Sequence, residues 1–138
     1  MITAAQKSRL LQAAREVLEK AYAPYSRFRV GAALLTAQGN LFSGANVENA
    51  SYGLALCAER AAIAAAVAAE GADLKITALA VVSNAPGAFP PCGACRQVIQ
   101  EFGEGAAIIF YGQEGLVQRP LEELLPVGFH LVPKRNYG

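Results

Sequence analysis

Leu10, Ala14, Val17, Leu18 and Ala21 recur at helical spacing on one face, with charged residues between them, and Thr3 and Gln6 have the spacing of a capping box. The pattern predicts a first helix that ends before Pro24. Phe28 to Thr36 and Leu41 to Gly44 are β-rich runs joined by Ala37-Gln38-Gly39-Asn40, a short connection with glycine placed for a tight turn, and they predict a hairpin. From Cys57 the stretch CAERAAIAAAVAAEG is rich in alanine, the best helix former, and stops at Gly71, where a left-handed cap is expected. Side chains that small permit close packing against another helix or another subunit.

Ile76 to Ser83 is a continuous apolar run of strand length, the signature of a strand covered on both faces. A loop with Pro86, Gly87, Pro90 and Pro91 leads into Cys92-Gly93-Ala94-Cys95 and a third helix to about Phe102. Ala106 to Tyr111 reads as another buried strand, Leu116 to Arg119 as a shorter one, and Pro120 to Leu125 as a brief helical segment. Strands alternating with helices mean a layered α/β domain opened by an antiparallel hairpin. No internal repeat, linker or low-complexity tract interrupts it.

With 138 residues and 54% hydrophobic content, residues 1–138 are expected to form a single domain that buries its core without disulfides. Twelve basic and eleven acidic residues leave a net charge of +1, and the basic ones are scattered from Lys7 to Arg135. Long nucleic acid is therefore not the expected partner, because phosphate contacts need concentrated Lys and Arg. The first twenty residues carry charges throughout and lack the apolar core of a signal peptide. The longest uncharged apolar run, Ala61 to Ala69, is about half of what a bilayer crossing requires. No membrane association is expected, and the expected address is the cytoplasm.

Three cysteines make an odd number, and in a reducing compartment C-x-x-C points to metal or redox chemistry before a disulfide. Cys92 and Cys95 share one face of a helix start, so both sulfurs can reach one ion, and Cys57 begins another predicted helix. The positive ends of two helices aimed at one point favour thiolate over thiol. Three thiolates fill three corners of a tetrahedron, and catalytic zinc sites keep the fourth for water. A redox pair, or a structural zinc site closed by the only histidine, His130, remains an alternative for a C-x-x-C by itself.

Glu59 follows Cys57 by two residues, and such neighbours do not face each other on a helix. It is badly placed as a fourth ligand but well placed to meet a water on the metal; the bland reading is a solvated surface glutamate. Zinc with three thiolates carries a formal charge of −1, so a cation should compensate. Arg60 or Arg96, each next to a site residue, can donate to sulfur, or can be an ordinary surface arginine.

G-A-N-V-E-N-A-S-Y at 44–52, C-A-E-R at 57–60 and P-C-G-A-C-R-Q at 91–97 resemble the homotetrameric cytidine deaminases of the zinc-dependent cytidine and deoxycytidylate deaminase superfamily. The wider signature has histidine where this chain has Cys57; the tetrameric branch has cysteine. The likeness runs from A-Y-A-P-Y-S-R-F-R-V-G-A-A-L at 21–34 to L-L-P-V-G-F at 124–129. It implies a three-layer α/β/α fold with a central mixed sheet of about five strands. It also implies hydrolytic deamination of cytidine and 2′-deoxycytidine in pyrimidine salvage.

Carried over, it implies Cys57, Cys92 and Cys95 as ligands of one Zn2+ per chain, Glu59 as proton shuttle and Arg60 as the partner of the thiolates. Asn46 and Glu48 would bind the sugar hydroxyls, backbone groups at Ala58 the base, and Phe28 would line the ring pocket. Ala50, Tyr52 and Phe129 would act across an interface between subunits. Without the resemblance, Asn46 and Glu48 read as a polar loop and Phe28 as a strand core residue. Its rivals are a deaminase of a cytosine-containing antibiotic such as blasticidin S, a polynucleotide-editing deaminase, and a structural-zinc module using His130.

Overall fold

A computed structural model describes residues 2–131. Helix α1 (Ala4–Leu18) starts with the capping box as expected: Thr3 accepts from the Gln6 backbone N–H while the Gln6 side chain accepts from that of Thr3. Its inward face is Leu10, Leu11 and Ala14, with Val17 and Leu18 only partly covered. Strands β1 (Val30–Thr36) and β2 (Leu41–Ala45) form the hairpin, with Gly39 at φ 86 in the turn. Strand β1 begins two residues later than its apolar pattern suggests, because the ladders with both neighbours start only at Val30 and Gly31.

Helix α2 (Ala58–Glu70) is followed by β3 (Ile76–Ser83), α3 (Gly93–Phe102), β4 (Ala107–Gly112), β5 (Gly115–Pro120) and the single turn α4 (Leu121–Leu124). The five strands lie in the order β2-β1-β3-β4-β5; β3 and β4 are parallel and every other pair is antiparallel. The parallel pair needs a long crossover, and α3 supplies it.

Alternation along β1 divides the core into two layers. Ala33 and Leu35 face α1, together with Ala78, Ala80, Val82 and Ile109. Ala32 and Leu34 face the opposite way, onto Ala58, Ala62, Ile63 and Ala66 of α2 and Ile99 of α3. The result is the three-layer α/β/α arrangement with a mixed sheet of five strands. No described helix is long and apolar enough to cross a membrane.

Helix α2 lies unusually close to β2. A Cβ on Gly44 would come within 2.4 Å of the Ala62 nitrogen and 2.9 Å of the Ala58 carbonyl oxygen. At its other end Glu70 accepts hydrogen bonds from Thr36 Oγ1 at 2.7 Å and Asn40 Nδ2 at 2.8 Å, tying the helix to the hairpin turn. Both ends of α2, and hence the position of Cys57 just before it, are set by the hairpin.

Gly44→Ala is expected to destabilise the protein by about 1–3 kcal/mol, the usual cost of overpacking against atoms that cannot yield. Gly53→Ala, whose Cβ would meet nothing within 4 Å, is the matched control. Urea unfolding midpoints measure both, and a Gly44→Ala protein as stable as the control would contradict this backbone contact.

Candidate metal centre and active site

Cys57 is the N-cap of α2 and Cys92 the N-cap of α3, both with extended backbone. The Cys92 sulfur accepts a hydrogen bond from the Cys95 backbone N–H at 3.4 Å. Because α2 and α3 pack on one face of the sheet, their N-termini meet at one end of it. The three sulfurs lie within 4.8 Å of one another, and all three cysteines are free. Tetrahedral zinc with bonds of about 2.3 Å needs sulfurs about 3.8 Å apart, a spacing that lies within the bound of this cluster. Soft thiolate donors match zinc as well as the spacing does.

The electrostatics divide the sulfurs. Cys57 is brought down to about 5, chiefly because the Cys95 thiol donates to it, then by the Arg60 guanidinium, against the cost of burial. Cys95 is pushed far up, because its proton is held in that bond to Cys57 and because it is buried. Arg60 donates to the Cys57 sulfur at 3.1 Å, and this bond raises its own pKa. The Arg60 Nε is buried without a partner among the described residues.

Arg96 does not touch sulfur. It donates to the Pro91 carbonyl at 2.7 Å and the Leu124 carbonyl at 2.8 Å, joining the loop before Cys92 to α4. His130 is also elsewhere: its Nε2 lies 3.2 Å from Gln100 Nε2 and 3.4 Å from Glu104 Oε1. Gln100 is eight residues beyond Cys92, about 12 Å along a helix. His130 therefore does not close the sulfur cluster.

Glu59 is not a solvated surface residue; it is only 3% exposed. Burial raises its pKa most, and the charge on Cys57 adds to this, while its backbone N–H, the Cys95 thiol and Arg60 oppose. A carboxyl group buried beside a thiolate binds a proton more tightly than one in water.

The segment carrying Asn46 and Glu48 runs between two others. Val47 exchanges backbone hydrogen bonds with Leu56, next to Cys57, at 2.8 and 2.9 Å, while Tyr22 N–H donates to the Asn46 carbonyl and Glu48 N–H to that of Tyr22. Asn46 Oδ1 accepts from Val30 N–H at 2.8 Å, and its Nδ2 donates to the Phe28 carbonyl at 2.9 Å. Glu48 accepts from the Ser26 hydroxyl and from the backbone N–H groups of Ser26 and Tyr25; the hydroxyl does most to lower its pKa. Among the described residues, one Asn46 N–H and part of the lone-pair capacity of Glu48 have no partner.

A cavity of about 380 Å³ is lined by Tyr25, Ser26, Glu48, Asn49, Tyr52 and Ala55. A larger one, about 550 Å³, lies by Gln100, Glu104 and His130, away from the sulfurs. Phe28 is half exposed rather than core, and Ala58 is fully buried. Tyr52 meets Tyr25 edge to face at 6.0 Å. Ala50 and Tyr52 are exposed, and Phe129 is held on the side of α3 by Gln97 and Gln100, outside this group of loops. Missed in the sequence were Tyr25 and Ser26, whose backbone anchors Glu48; nothing in a Y-S pair marks it as a carboxylate's partner.

Residues 4–111 match the model of the "cytidine and deoxycytidylate deaminase zinc-binding region". The chain belongs to this deaminase family. A cytidine deaminase of Halalkalibacterium halodurans is 46% identical over 122 residues, covering 87% of this chain and 91% of that one. The crystal structure of cytidine deaminase from Burkholderia pseudomallei superimposes with a TM-score of 0.82 at 45% identity, covering 93% of this chain and all of that one. A blasticidin-S deaminase of Bacillus cereus is more distant, 28% identical over 131 residues, 90% of this chain and 92% of that one. For this family the Cys57, Cys92 and Cys95 cluster is the place among the described residues where one zinc could be held.

Zinc must displace the proton that Cys95 holds, and a raised thiol pKa makes that displacement easier as pH rises. Chelator-competition titrations at pH 6 and pH 8 are expected to show tighter zinc binding at pH 8, by about tenfold per pH unit for each proton released. Equal affinity at both values would show that no thiol proton leaves.

Proposed function

We propose that the chain deaminates cytidine and 2′-deoxycytidine to uridine and 2′-deoxyuridine with release of ammonia, as a zinc-dependent hydrolase of pyrimidine salvage. The observation that carries this reading is a buried carboxyl group, Glu59, beside three convergent sulfurs at the ends of two helices. The cytidine deaminases at more than 40% identity support the choice of substrate over blasticidin S.

Cys57, Cys92 and Cys95 would hold one Zn2+. When bound, zinc supplies the Lewis acidity that lets water ionise near neutral pH. Glu59 takes one proton from the attacking water and delivers it to N3 of the pyrimidine, then takes the remaining proton from the new hydroxyl on C4 and passes it to the departing amine as the C4 carbonyl forms, so one carboxylate serves as base and acid in turn. Arg60 offsets the negative charge of the thiolates through Cys57, leaving the sulfurs less able to quench the metal's acidity.

Asn46, with its free N–H, and Glu48, with its fixed carboxylate, bind sugar hydroxyls. Phe28 walls the ring pocket, and the backbone at Ala58 meets the base. Residues 1–138 act as one catalytic domain. The assembly is a homotetramer in which Ala50, Tyr52 and Phe129 serve neighbouring sites; Tyr52 at 77% and Phe129 at 69% exposure are large aromatic surfaces for such contacts. The balanced charge supports a small nucleoside rather than nucleic acid as substrate. Three thiols close together and unpaired support a cytoplasmic setting.

Glu59→Gln is expected to retain about one zinc per chain and to lose at least about two orders of magnitude in kcat. Near-normal turnover with zinc in place would remove Glu59 from the proton path. The sugar contacts are tested by comparing cytidine with free cytosine: a site whose polar groups are left unpaired by the truncated substrate should favour cytidine by a factor of about 10⁴ in kcat/KM. Equal values would contradict the roles of Asn46 and Glu48.

A further inference from the structure

We infer that Asn84, the first residue after β3, positions Phe28 and thereby sets affinity for the pyrimidine; the inference rests on the reading of Phe28 as a wall of the substrate pocket. Residues 25–29 precede β1, and Phe28 belongs to neither core cluster. Apolar packing therefore covers only part of this half-exposed ring. The backbone on both sides of it is held by hydrogen bonds.

Two asparagines act in the same way from opposite sides. Asn46 Oδ1 accepts from the N–H of Val30 while its Nδ2 donates to the carbonyl of Phe28, two residues earlier. Asn84 Oδ1 accepts from the N–H of Arg29 at 2.8 Å while its Nδ2 donates to the carbonyl of Arg27 at 3.3 Å, again two residues earlier. Each side-chain amide thus replaces a strand neighbour's peptide group, extending the ladder past its last backbone pair. The Arg29 carbonyl is also held, by the Asn84 backbone N–H at 3.2 Å and Ser83 Oγ at 3.0 Å. The Phe28 N–H donates to Ser26 Oγ at 3.0 Å.

This segment would relax if released. Arg27 has φ 65, a conformation that a residue with a Cβ adopts only when its surroundings hold it there. Asn84 bridges the residues on either side of Phe28, so its loss frees the backbone from which the ring projects. Asn84 is itself exposed and buries no apolar surface, so its effect is separable from global stability.

The chain contains no tryptophan, so Phe28→Trp introduces a single fluorescent reporter. Adding Asn84→Ala is expected to lower its anisotropy and increase its quenching by acrylamide, with zinc content and thermal midpoint unchanged. Asn84→Asp keeps the acceptor for the Arg29 N–H and should restore most of the anisotropy. With Phe28 in place, Asn84→Ala should raise KM for cytidine about 3- to 10-fold, the worth of one hydrogen bond, and change kcat less than about twofold. In a Phe28→Ala background it should raise KM no further.

An unchanged anisotropy, a KM effect of equal size without Phe28, or a fall in thermal midpoint that accompanies the loss would each overturn the inference. Failure of the unmodified protein to deaminate cytidine would instead sink the functional reading, and the anisotropy comparison would still decide whether Asn84 holds residue 28.

Discussion

The close approach of α2 to the hairpin is the constraint on which the site depends. A helix whose inner face is Ala58, Ala62 and Ala66, all fully buried, settles onto Gly44 until backbone meets backbone. That contact fixes where α2 begins, and Cys57, Glu59 and Arg60 all lie within its first turn or just before it. The crossover through α3 brings Cys92 and Cys95 to the same end of the sheet. No single loop could hold three sulfurs together without a disulfide or an ion; two helix starts anchored on one sheet can.

The cluster keeps opposite charges in a deliberate order. One sulfur, Cys57, is poised as thiolate and faces Arg60, while Cys95 in the interior retains a proton until something displaces it. Glu59 is buried on the same turn, and burial raises its affinity for a proton. The Cys57 sulfur, the Arg60 guanidinium and the Glu59 carboxyl are therefore neighbours in sequence because one helix start projects each in a different direction.

Much of this could be read from residue types and spacing. The strand Ile76–Ser83 agrees with its pattern to the residue, and the third helix runs from the C-x-x-C stretch to Phe102 as expected, because glycine, proline and unbroken apolar runs mark their ends. The sulfur cluster was legible from C-x-x-C, a distant third cysteine and two helix starts. Contacts made by exposed polar side chains were not. Arg96 beside Cys95 looks as able to reach sulfur as Arg60 does, yet it clamps two carbonyls, since only three-dimensional direction tells the two apart. Phe28 reads as strand core because alternation continues through it, but the ladder stops at Val30 and two asparagines carry the backbone onward. Nothing local distinguishes an asparagine that bridges peptide groups from one that faces water.

The alanine lining of α2 has an implication for how this protein can change over time. Interiors ordinarily drift by exchanging volume between neighbours, one side chain growing as another shrinks. Where main chain lies against main chain there is no volume to exchange, so positions 44, 58 and 62 have almost no conservative alternatives. The α1 side has the same kind of lock, since a Cβ on Gly31 would come within 2.0 Å of the Ala14 carbonyl oxygen, so sequence divergence should be channelled to core positions away from both contacts, such as Leu79, Ile99 and Ile108, where larger aliphatic residues interlock and can substitute for one another.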